Sequence, residues 1–119
     1  MKSANYRDLV VWQKALILVT HIYKLTAKFP KEEIFGLSSQ MKRAAVSIPS
    51  NIAEGSKRST EKDFRHFLMI SYGSGAELET QVEIAKRLFP SVCNETTEVE
   101  IVLGEVMRML NKMTQSFAQ

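Results

Sequence analysis

One cysteine, three prolines and five glycines in 119 residues leave little with which to staple or turn a chain. The lone Cys93 excludes an intramolecular disulfide and a multi-cysteine zinc site, and it agrees with a reducing compartment. So few glycines and prolines disfavour a turn-rich β-sandwich, and a 45% hydrophobic content disfavours a disordered chain. Long apolar runs are missing too. The longest dense one, Ala15 to Val19, falls far short of the roughly 20 residues that cross a bilayer. Lys2, Arg7 and Asp8 stand where a secretion leader needs its apolar stretch, so a cytoplasmic protein with no membrane partner is expected. There are only two histidines, and neither follows a glutamate at the Glu-x-x-His spacing of di-iron bundles. Asp63-x-x-His66 comes nearest and stands alone, and Cys93 has no evident histidine partner. No metal, no cofactor and no catalytic residue is therefore expected, and the chain does not read as an enzyme.

What the sequence does have is helical periodicity. Val11, Ala15, Leu18, Ile22, Leu25 and Phe29 recur in alternating fours and threes, which places them on one helix face. Asp8 is the expected N-cap of this helix, and Pro30 its stop. A second row, Leu9, Trp12, Leu16, Val19 and Tyr23, makes the helix apolar over more than one bundle core requires. A second helix is expected from about Phe35–Ser38 to Gly55, which reads as its terminator. Pro49 lies within it and allows two readings, a kinked continuous helix or two short ones; the apolar face continues in phase across it and favours the kink. Thr60 stands three residues before Asp63, a capping-box variant that opens a third helix, and Phe64, Leu68, Ser71, Gly75, Leu78, Val82, Ala85 and Phe89 carry its face to Pro90. The fourth starts near Asn94–Thr97 with Val99, Leu103, Val106, Leu110, Met113 and Phe117. Four segments of about twenty residues, each about 30 Å long, predict one all-α domain over residues 1–119. Its expected architecture is an antiparallel up-down-up-down four-helix bundle with a proline kink in helix 2.

Small residues invite close helix approach: Ala44, Ala45 and Ser47 in helix 2, with Gly73 and Gly75 in helix 3. Gly73-Ser74-Gly75 superficially suggests a phosphate loop, but it lacks a preceding strand, a third glycine at the required spacing and a Lys-Ser/Thr ending, so packing is the better reading. Asn51 and Glu54, beside Ser47 and Ser50, form either a polar site or a network serving backbone freed by Pro49. The absence of a nearby nucleophile or second acid favours the network, with Glu54 pairing Arg43 or Arg58.

Phe35-Gly36-Leu37 through Gln40, and above all Arg43-Ala44-Ala45-Val46-Ser47-Ile48-Pro49-Ser50-Asn51-Ile52-Ala53-Glu54-Gly55, carry a family pattern. With Asp8 to Ala15, Phe67-Leu68 and Gly73 to Leu78, they resemble the four-helix-bundle proteins encoded by intervening sequences in bacterial 23S ribosomal RNA genes. The accessory variability protein of diversity-generating retroelements belongs to the same superfamily. The resemblance implies a four-helix protomer and a homo-oligomer, a ring-shaped pentamer, with little about activity.

The net charge of +3 is mild, but it is unevenly spread. Residues 1–65 hold 12 Lys+Arg and 6 Asp+Glu, a net of +6, whereas residues 66–119 hold 4 and 7, a net of −3. Six basic residues, Lys42, Arg43, Lys57, Arg58, Lys62 and Arg65, are the candidate contacts to the phosphates of RNA or DNA, with Lys24, Lys28 and Lys31 as a further group. No motif for sequence-specific readout accompanies them. The expected function is a non-enzymatic homo-oligomer that presents basic surfaces to nucleic acid, as an accessory factor. Aromatic residues of helix 1 and Met107, Met109 and Met113 of helix 4 are the expected subunit contacts. The alternative is a scaffold for a protein partner, with its basic surface serving solubility alone.

Overall fold

The first helix does not start under Asp8. In the computed structural model, which describes residues 5–117, a single turn of 3-10 helix at Tyr6–Asp8 precedes α1 (Val10–Thr26). Asn5 caps that turn by accepting the Arg7 N–H at 2.9 Å, and Leu9 takes the N-cap of α1 with no side-chain bond. Asp8 is thus inside the lead-in turn, where its own N–H donates to the Asn5 carbonyl at 3.1 Å. The far end of α1 is also earlier than the stripe predicts. Thr26 ends the helix with its hydroxyl bonded back to the Ile22 carbonyl at 2.9 Å, and Phe29 reaches the core from the tighter turn that follows.

Helix α2 (Leu37–Ser56) follows a 3-10 turn at Lys31–Glu33, and the Glu33 carboxylate accepts the Leu37 N–H at 3.1 Å. It runs unbroken through the buried Pro49, so one helix, not two, spans the motif. Gly55 is not its terminator. It is buried in the last turn with no left-handed backbone, and a Cβ there would lie 2.7 Å from Phe67 Cβ and 2.9 Å from Phe64 Cδ1 of the next helix. Its missing side chain lets α3 (Glu61–Leu88) cross α2 closely. Thr60 caps α3 as expected, accepting the Asp63 N–H at 3.1 Å. Thr60→Ala is expected to lower stability by about 1 kcal/mol in a denaturant titration.

At 28 residues, α3 is longer than the predicted twenty. It extends about 42 Å at the helical rise, close to the 44 Å long axis of the molecule. A 3-10 turn at Pro90–Val92 leads into α4 (Thr96–Ser116). Each helix packs against its two neighbours in a closed order α1–α2–α3–α4–α1, with α2–α3 the most extensive pairing. Directions follow from contacts at the ends. Arg65 near the start of α3 bonds the Thr114 carbonyl near the end of α4, whereas Lys86 near the end of α3 meets Glu100 near the start of α4. Phe29 and Phe89 meet at 5.0 Å between ring centroids at one end of the bundle, and Phe64 and Phe117 at 5.4 Å at the other. This is the antiparallel four-helix bundle, and there is no strand among the described residues.

Its core is the predicted stripes: Leu18, Ile22, Met41, Ile48, Leu68, Leu78, Val99 and Leu110 are fully buried. Each such side chain contributes about 1.5–3 kcal/mol through apolar burial. The small residues divide their work. Ala44 and Ser47 with Ser71 and Ser74 line the α2–α3 seam, where Ser71 donates to the Ile48 carbonyl at 2.8 Å and Ser47 and Ser74 share a hydroxyl bond of 2.8 Å, while Ala45 is fully buried in the core. The Asn51 amide donates to the Ser47 carbonyl at 2.8 Å and to its hydroxyl at 3.0 Å. These bonds end on the Ser47 and Ile48 carbonyls, whereas Pro49 frees that of Ala45, so the network ties α2 to α3 more than it repairs the proline. Gly75 faces α4 instead, with a Cβ there running into the Met107 thioether. Gly73 faces nothing within 4 Å, so it has no role in close approach.

Among the described residues, the α3–α4 link carries the one marked shift in acidity. The hydrogen bond to Glu100, then its charge, raise Lys86 above the ordinary lysine range. Folded Lys86 therefore holds its proton more tightly than the unfolded residue. The link is fully present at neutral pH and is lost as the pH rises through the folded lysine's titration.

Candidate nucleic-acid interface

The antiparallel pairing of α1 with α2 brings residues far apart in sequence onto one face. At one end the Tyr6 ring holds two cations, with the Arg7 guanidinium 4.8 Å and the Lys57 ammonium 5.8 Å from its centroid. Trp12 supports Tyr6 edge-on at 5.2 Å. Toward the other end of the same helix pair, the Lys42 ammonium lies 4.9 Å from the centroid of Tyr23. A shallow groove of about 290 Å³ runs between these pairs, lined by Trp12, Leu16, Val19, Val46, Pro49 and Ala53 among others. Trp12, Leu16 and Val19, from the second apolar row of α1, form its floor. Leu9, Trp12 and Val19 are half-buried against the core, while Leu16 and Tyr23 stay 39% and 47% exposed. An aromatic ring under a lysine restricts where the ammonium goes, so these cations are held in place ahead of any partner.

The six predicted basic residues do not form one patch. Lys42 and Lys57 are fifteen positions apart on a continuous helix and its C-cap, or about 22 Å along the axis. Arg43 turns away from the Lys42 face into a groove between α2 and α3. Arg58 is engaged twice, by the Glu54 carboxylate at 2.8 Å and by the Phe67 ring at 4.7 Å, which selects Arg58 over Arg43 as the partner of Glu54. Arg65 is half-buried, and its Nε donates to the Thr114 carbonyl at 3.0 Å, so it serves the last turn of α4. A positive charge suits that end of a helix dipole. Lys62 is exposed in the first turn of α3, beside Glu61 and Asp63.

The bundle instead divides by hairpin. Residues 5–58, the α1–α2 side, hold nine Lys+Arg and four Asp+Glu, a net of +5. Residues 60–117, the α3–α4 side, hold six and nine, a net of −3. From Leu9 to Ala53 the only acids are Glu32 and Glu33, both in the connection between the helices. Lys24, Lys28, Lys42 and Lys57 make no ion pair among the described residues, whereas Lys14 is tied to Glu105 of α4 at 3.1 Å. Sequence reasoning passed over Arg7 and the two tyrosines as holders of cations. Only the pairing of α1 with α2 reveals them.

Residues 7–112 match the family model of the 23S rRNA-intervening sequence proteins. The chain belongs to that family. The match runs from Arg7 to Lys112, within α4, and so takes in the whole of α1 and α2, with Tyr6 just outside it. No curated protein matches the chain closely enough to serve as a named relative. The family description carries no activity with it, so the chemistry of a 23S rRNA-intervening sequence protein has to be argued from its surface. Among its described residues no helix is long and apolar enough to cross a membrane, and no three His, Cys, Asp or Glu side chains gather as metal ligands.

Proposed function

We propose that the protein is a non-enzymatic, cytoplasmic homo-oligomer whose α1–α2 face binds RNA or DNA through its phosphates, as an accessory factor. The observation that carries this reading is the division of charge, with a +5 hairpin lying alongside a −3 hairpin in one bundle. A polyanion is drawn to the first and repelled by the second, which orients it on the protein. The family resemblance implies that the assembly is a pentamer. Met107 is in the protomer core, whereas Met109 and Met113 are half-buried against it, as Trp12 and Val19 are, and stay with α1 as the proposed subunit contacts. Weak phosphate contacts from several copies would then combine on one nucleic acid.

Titration with a structured RNA and a duplex DNA over a salt series tests the binding. Affinity should fall steeply as salt rises, because bound phosphates release counterions. Undetectable or salt-independent binding would overturn the reading. Light scattering should give several protomers per particle, and a strict monomer would remove the assembly. The apolar groove also suits the scaffold alternative, which predicts a protein partner captured after nuclease treatment and no binding to purified nucleic acid.

A further inference from the structure

Stretches that carry the family pattern face each other across a second groove, of about 470 Å³, with Phe35, Arg43 and Ser47 on the α2 side and Ser74 and Glu77 on α3. That volume is in the range of small-molecule sites. Arg43 stands on the α2 wall and Glu77 on the α3 wall, and among the described residues neither has an ion-pair partner. The groove thus offers one positive and one negative group, held apart. Gln81, one helical turn beyond Glu77, lines it as well, and its Oε1 is buried with no hydrogen bond. At the rim, Phe35 is 95% exposed, the most exposed of the large apolar side chains. The Ser47–Ser74 hydroxyl pair is also part of the lining, where the small residues of the seam let the helices close.

We propose that this groove binds a free α-amino acid with an apolar side chain. The carboxylate pairs with the Arg43 guanidinium, whose planar fork matches it in a bidentate bond. The ammonium group pairs with the Glu77 carboxylate on the opposite wall. The apolar side chain covers the Phe35 ring. A ligand with only one charge leaves one wall of the groove unanswered, which is what selects a zwitterion.

Titration of the isotope-labelled protein with leucine and with phenylalanine, followed by amide NMR, tests this directly. Shifts should concentrate at Ser47, Ser74, Glu77 and Gln81. N-acetylleucine and leucinamide, each lacking one charge, should bind at least about tenfold more weakly. Glu77→Gln and Arg43→Gln should each cost about tenfold too, and both positions are exposed, so the fold is kept. Absence of shifts at about 10 mM amino acid, or equal binding of the blocked forms, would overturn the proposal. Shifts confined to the α1–α2 face would overturn it as well.

Discussion

Gly55→Ala is expected to lower the stability of the bundle by about 1–3 kcal/mol, while Gly73→Ala raises it by up to about 1 kcal/mol. Gly73 is interior to α3, where alanine is intrinsically better by about 1 kcal/mol, and Gly55 lies in the last turn of α2, where that gain is no larger. At Gly73 nothing lies within 4 Å of the new methyl, so only this gain remains. At Gly55 the methyl meets Phe67 Cβ at 2.7 Å, Phe64 Cδ1 at 2.9 Å and the Phe64 carbonyl at 3.3 Å. A flexible side-chain end can swing aside, but a Cβ and a carbonyl move only with their backbone. Relief therefore needs a shift of α3 away from α2, across the most extensive helix pairing in the molecule. Overpacking of this kind outweighs the propensity gain. Denaturant midpoints at one fixed protein concentration measure both variants against wild type. A Gly55→Ala protein more stable than wild type would show that the close α2–α3 crossing is not real.

Replacing Lys24, Lys42 and Lys57 together by alanine should weaken RNA and DNA binding by on the order of tenfold or more near physiological salt. The dependence on salt should flatten as well. Each lost phosphate contact takes about 0.9 from the slope of log affinity against log salt on duplex DNA, so three remove between about two and three. These residues are chosen because none makes an ion pair within the described chain, so their loss leaves no acid stranded. Arg58 and Arg65 would be poor choices. Removing the first strands Glu54, and removing the second strips the Thr114 carbonyl of its donor. A matched triple change on the acidic hairpin, Lys62, Arg108 and Lys112 to alanine, should have much the smaller effect. Equal losses from both would argue for diffuse attraction with no preferred face.

The helices were legible in the sequence because spacing by threes and fours reports directly on one side of a cylinder, and burial then follows the same stripe. What failed turned on a neighbouring element. Asp8 looked like a cap because nothing local announces that Asn5 opens a separate turn before it. Gly55 looked like a terminator because the two phenylalanines that require it come from the next helix. Gly73 and Gly75 looked alike, yet residues two apart on a helix point to nearly opposite sides, so only one of them can face a neighbour. The basic cluster failed for a related reason. Nearness in sequence between Lys42 and Arg65 hides a helical rise that separates Lys42 from Lys57 and a turn that carries Lys62 and Arg65 onto the other hairpin. The charge asymmetry itself was visible, because two adjacent helices inherit the balance of one half of the chain.

The location of the nucleic-acid surface is tested most directly by amide NMR during titration with a short structured RNA at low salt. The account predicts shifts at Tyr6–Asp8, around Tyr23 to Lys28, near Lys42 and at Lys57, with the outer faces of α3 and α4 unchanged. Shifts spread over α3 and α4, or none while binding is saturated, would contradict it.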